Sequence, residues 1–204
     1  MRINADFEET VTLATEEMAW VDSPMPGVQR RMLDRVGAES GHATTIVRYA
    51  ANSYFSSHTH EGGEEFLVLE GTFSDEHGDY PAGTYVRNPI ATHHRPFSAK
   101  GCIIFVKLFQ FAESDTEQFH IDTTQAQTGV LALHQFADEQ VKIVTIREND
   151  TFSPQSGFEL LLLAGELSVA SKILPKGSWF RTVRDDILIT TSLYARFYIK
   201  TGHL

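Results

Sequence analysis

The sequence has one cysteine, Cys102, no excess of basic residues, and no apolar run long enough to cross a bilayer. A single thiol excludes an intramolecular disulfide and any paired-cysteine zinc site, and it fits a reducing, cytoplasmic setting. Seventeen Lys and Arg stand against 27 Asp and Glu, a formal net charge of −10. The basic face that nucleic acid or an anionic membrane requires is therefore lacking. The longest apolar runs, such as "CIIFV" and "LLLLAG", fall far short of a span. The opening "MRINADFEETVTL" is acidic, without the apolar core of a secretory signal. The expected partners are a small-molecule ligand or substrate, with neither nucleic acid nor membrane, and self-association as a homodimer stays open.

Helix signals are also scarce. Only "TLATEEMAW" and "GVQRRMLDRV", both in the opening third, suggest short helices. After residue 40 the chain runs through "ATTIVRYA", "EEFLVLEGTF", "GTYVRNP", "GCIIFVKLFQF", "KIVTI", "FELLLLAGEL", "SWFRTV", "DILITT" and "ARFYIK". These are β-branched or aromatic stretches, usually bounded by Gly, Pro, Asn or Asp. Short strands at this spacing predict an all-β sandwich or barrel.

The strands repeat. Gly71, Pro81 and Gly83 match Gly165, Pro175 and Gly177 at one constant offset, so "EFLVLEGTF…YPAGTYVRN" aligns with "ELLLLAGEL…LPKGSWFRT" without a gap. Lys107 and Lys200 align after a one-residue slip. The chain therefore reads as two copies of one small barrel: an N-terminal arm over 1–40 packing on the barrel, a first barrel over 41–115, and a degenerate second barrel over 125–204.

What the second copy has lost is the polar stretch "SSHTHEGGEEFLVLEG". The equivalents of His58 and His60 are either Phe152 and Pro154 or Gln155 and Gly157, and Glu64 becomes Phe158. In the first copy, His58 and His60 alternate onto one side of a strand. Gly62 and Gly63 supply a turn, and Glu64 opens what reads as the antiparallel partner, facing both imidazoles. A third histidine from "NPIATHHRP", either His93 or His94, would complete a metal site. Imidazole with carboxylate suits one divalent transition metal, Fe, Zn, Ni or Mn, without choosing among them.

"HTHEGGEEFLVLEG" resembles the first motif of the cupins, and "YPAGTYVRNPIATHH" resembles the second. The longer string from Glu64 to Gln110 is similar to the cupin domain of the ChrR anti-sigma proteins and related small cupins. That resemblance implies a double-stranded β-helix (jelly-roll), here in two tandem barrels, with the metal held inside the first by His58, His60, Glu64 and His94. His94 is preferred because "HRPFS" matches the pattern that follows the ligand, which leaves His93 outward or in support. Such a ligand set would leave coordination positions open. The resemblance further implies either a module that senses a small molecule or oxidant, or a dioxygenase of the acetylacetone-cleaving type. Sigma-factor capture is not expected of this chain, because residues 1–40 contain neither His nor Cys. No catalytic residue is assigned. Asp75, Glu76 and His77 read as a solvated hairpin turn rather than a second metal cluster, and Cys102 as a small core residue.

Overall fold

A computed structural model of the chain describes residues 1–126 and 128–204. These form two compact units, Met1–Ala5 with Ala19–Thr124, and Asp6–Met18 with Gln125–Leu204. Each is a double-stranded β-helix, so the chain holds two barrels of one jelly-roll plan. No helix among the described residues is long and apolar enough to cross a membrane.

In the first unit the larger sheet runs Arg2–Ile3, Val28–Gly37, Gly41–Tyr49, Cys102–Leu108, Glu64–Asp75, Thr84–Asn88, Phe119–Asp122, with antiparallel neighbours. Short strands close the opposite wall: Ser53–Tyr54 pairs with Phe97–Ser98, and His58–Thr59 with His93–His94. Between the walls lies a core that includes Val28, Val47, Phe66, Phe73, Ile104 and Val106. Cys102 belongs to it, and burial pushes its thiol up to about 11, which leaves it a packing residue rather than a redox group.

The second unit repeats the arrangement with Gly129–Phe136, Glu139–Arg147, Tyr194–Thr201, Phe158–Val169, Ser178–Thr182 and Val11–Ala14. Glu64–Asp75 and Phe158–Val169 have the same length, as do Gly78–Pro81 and Lys172–Pro175, and Thr84–Asn88 and Ser178–Thr182. Gly71 and Gly165 hold equivalent places, at φ +70° and +80°. A Cβ there would lie 2.1 Å from the Gly101 carbonyl or 2.0 Å from that of Tyr194. Only glycine lets the neighbouring strand come so close.

The equivalence extends upstream of the sequence repeat. Thr15 and Thr123 each open a 3-10 turn after a short strand, and each bonds a glycine carbonyl through both N–H and Oγ1, Thr15 to Gly177 and Thr123 to Gly83. Val11–Ala14 is thus a strand of the second unit's sheet, although in the chain it falls between the first unit's Arg2–Ile3 and Val28–Gly37.

The helices read in "TLATEEMAW" and "GVQRRMLDRV" do not form. Val11–Ala14 is a strand ending in the 3-10 turn Thr15–Glu17, and Val28–Gly37 is a ten-residue strand. Helix propensity is a weak preference that tertiary pairing overrides. Val28–Gly37 hairpins onto the β-branched Gly41–Tyr49, with Val28 in the core and Arg31 outside against Trp20, its guanidinium carbon 4.2 Å from the ring centroid.

Candidate metal centre

His58, His60, Glu64 and His94 bring one ligand atom each to within 4.8 Å of all the others. The element that places them differs from the expected hairpin. His58–Thr59 pairs not with the strand of Glu64 but with His93–His94, in a register that sets His58 opposite His94 and Thr59 opposite His93. His94 is therefore inside the barrel and buried, while His93 is exposed. His60 lies just past its strand, held by its N–H to the Thr92 carbonyl at 2.9 Å and by the Ala91 N–H on its own carbonyl at 3.0 Å.

The chain then has to turn back along Phe109–Phe111 to reach Glu64. A Cβ on Gly62 would lie 2.2 Å from the Phe109 ring, and one on Gly63, at φ +76°, 2.4 Å from Phe111. The glycine pair is thus required by packing as well as by turn geometry. Glu64 opens the strand Glu64–Asp75 between Leu108 and Asn88, and its Oε2 accepts a 3.2 Å hydrogen bond from Asn88 Nδ2.

The protons on two of the rings can be located from their partners. Thr92 Oγ1 donates to the Pro89 carbonyl at 2.6 Å, so at its 2.9 Å contact with His60 Nδ1 it must accept. Asp75 Oδ2, 3.2 Å from His94 Nδ1, can only accept as a carboxylate. Both imidazoles thus carry their proton on Nδ1 and present a bare Nε2 inward. Those two Nε2 atoms are 3.3 Å apart, and Glu64 Oε2 lies 3.3 Å from the first and 3.7 Å from the second. Three electron-pair donors converging in a buried place need a cation between them. The donor set therefore fits a divalent transition metal.

With no cation between them the same atoms attract protons instead. Burial would raise the Glu64 carboxyl, but a hydrogen bond from His60 once its Nε2 is protonated, and the charge of the surrounding imidazoles, hold it at about 2. Burial lowers the pKa of His58, the outermost of the four. At His94 burial acts downward too, yet the Asp75 hydrogen bond and the Glu64 charge prevail and raise it.

Asp75 is the main correction to the sequence reading of "FSDEHGDYPAG". Glu76 and His77 are exposed, as a turn requires, but Asp75 is 7% exposed. Its Oδ1 accepts from the His77 and Gly78 N–H groups and the Tyr80 hydroxyl, which leaves Oδ2 for His94. The signal was present in strand alternation, since Asp75 shares a face with the core residue Phe73. Asp75→Asn should weaken metal binding about 10- to 100-fold, the usual value of such support. An amide that keeps its oxygen for the turn aims its NH₂ at His94 Nδ1 and moves the proton to Nε2. Competitive chelator titration of both proteins measures the difference.

A cavity of about 510 Å³ opens on the cluster, within the first unit, with Phe55, Phe73, Val106 and Leu108 in its walls. Tyr49 also lines it, and burial raises its phenol so that the hydroxyl stays neutral. Arg30 lines the same cavity, a residue the sequence did not single out.

Residues 8–112 match the family model of the ChrR cupin-like domain. Among solved structures the chain is similar to the YlbA protein of Escherichia coli, at 13% identity and a TM-score of 0.70 over 98% of this chain and 93% of that one. It is also similar to the bacterial pirin YhhW of Escherichia coli in complex with nickel(II), at 13% identity and 0.70 over 95% and 98%. A candidate dioxygenase from Nostoc punctiforme matches at 14% identity and 0.72 over 97% and 84%. Identities this low establish the fold alone. No curated protein sequence matches the chain.

Proposed function

The chain belongs to the ChrR cupin-like domain family, and on that footing we propose that its first barrel holds one divalent transition metal on His58, His60, Glu64 and His94 and acts on a small organic molecule in the adjoining cavity. The observation that carries this is the convergence of two bare imidazole nitrogens and a carboxylate oxygen in the wall of a cavity of substrate size. When bound, such a metal supplies Lewis acidity and, as Fe(II), the capacity to activate dioxygen.

The protein's own residues do the rest. Asp75 and Thr92 fix the tautomers of His94 and His60, and Asn88 steadies the Glu64 carboxylate. Phe55, Phe73, Val106 and Leu108 lower the polarity on the inner side of the site and so strengthen the polar contacts there. Oxygen-dependent cleavage of a β-diketone is the reaction to test first, supported by the likeness to a candidate dioxygenase. The nickel-bound pirin supports a divalent metal without fixing which.

The test is oxygen uptake by the Fe(II)-reconstituted protein with a panel of β-diketones. Diketone-dependent consumption is expected, and Glu64→Gln should reduce it by roughly 10-fold or more through weakened or redirected metal binding. Stoichiometric metal with no turnover of any diketone would favour the second reading, a sensor in which an oxidant or ligand alters the site. Family membership and the solvent-facing position of His58 speak for that reading.

A further inference from the structure

Arg30 is the one Lys or Arg among the described residues lining the metal-site cavity. It stands two residues after Val28 on the strand Val28–Gly37, so both side chains leave the same face, and Val28 is part of the barrel core. The rest of the lining brings no second fixed cation and three carboxylates, Glu39, Glu61 and Glu64. An anionic ligand therefore has one permanent counter-charge available.

The guanidinium already shows what it binds. Its Nη1 and Nη2 donate to the two carboxylate oxygens of Glu39 at 2.8 and 3.3 Å, the paired geometry in which arginine takes a carboxylate. The two partners are unequal in their surroundings. The Arg30 side chain is 13% exposed and that of Glu39 65%. The buried Nε of Arg30 has no hydrogen-bond partner. An ion pair with one partner so exposed is weakly held, and Arg35 acts on the same Glu39 charge, which leaves that carboxylate a cationic neighbour once it moves.

We infer that the molecule this cavity takes is a small organic acid, whose carboxylate replaces Glu39 on Arg30 while its remaining polar end reaches the histidine cluster. Glu39 then acts as an internal stand-in for the ligand. A neutral diketone would leave Arg30 with Glu39 and gain nothing from it. The inference rests on the reading of this cavity as a metal-dependent site and narrows its substrate class.

The probe pair is succinylacetone, a β-diketone with a carboxylate tail, and its methyl ester, titrated calorimetrically into the metal-loaded full chain. The wild type should bind the acid about tenfold more tightly than the ester, the loss expected when a charge-assisted pair goes unmade. With an unchanged metal stoichiometry and melting temperature reporting an intact fold, Arg30→Gln should erase that preference. Arg30→Lys should restore part of it, and Glu39→Gln should tighten the acid alone by removing its competitor. Equal binding of acid and ester by a protein holding one metal, a preference that survives in Arg30→Gln, or binding of neither compound would overturn the inference and leave the metal reading in place. A protein without stoichiometric metal that still prefers the acid through Arg30 would uphold the inference and sink the metal reading instead.

Discussion

Replacing His58 and His60 together by alanine is expected to abolish stoichiometric metal binding. Two of the four donors go, and Glu64 with His94 cannot hold the ion alone. The loss should exceed the roughly 10- to 100-fold that supporting residues are worth. The same variant should also lose a stability effect. In the wild type the bare Nε2 atoms of His60 and His94 face each other at 3.3 Å beside the Glu64 carboxylate, an arrangement a bound cation relieves. Metal at a hundred times its dissociation constant should therefore stabilise the wild type by about 2.7 kcal/mol, seen as a rise in melting temperature. The variant should show none. A double variant that kept one equivalent of metal and the full shift would remove the basis for the site.

The second large effect concerns the other barrel and runs through packing. Phe158→Ala should destabilise the protein by about 3–5 kcal/mol while leaving metal content at one equivalent per chain. Phe158 occupies the place of Glu64, is fully buried, and packs with Phe180 at a centroid distance of 5.6 Å. Around it the other polar positions have changed in concert. Val169 stands where Asp75 would, and Ile187 takes the place of His94; both belong to the same apolar cluster. Without a set of metal ligands, nothing would offset the cost of burying a carboxylate and imidazoles there. Aliphatic and aromatic side chains fill the space without unpaired polar atoms. Calorimetry of the unfolding transition measures the change. A cost below about 1 kcal/mol would mean that this interior is not close-packed.

The parts of this architecture that were legible in the sequence are those with a local or periodic signature. The strand of Glu64 and its counterpart at Phe158 retain equal lengths and the glycine each needs under its neighbouring strand, so the repeat survives extensive substitution. His58, His60 and Glu64 lie within seven residues, and His94 was marked by the residues after it. What escaped depends on partners distant along the chain. Nothing near His58 says that its strand pairs with His93–His94. Val11–Ala14 looks helical beside Glu16 and Glu17 until the Ser178–Thr182 edge it pairs with is known. Asp75 resembled any acidic turn residue because its second role, on His94, spans 19 positions. Arg30 sits in a stretch of mixed charge whose inward and outward members separate only once the strand is recognised.

The most direct test of the whole account is anomalous diffraction from crystals of the protein as purified, with elemental analysis of the same sample. One anomalous peak per chain is expected, enclosed by His58, His60, Glu64 and His94, with Asp75 and Thr92 behind His94 and His60, and none in the barrel built around Phe158. A peak beside Phe158 or at the Asp75–His77 turn, or a stoichiometric metal with no peak among the four residues, would contradict it.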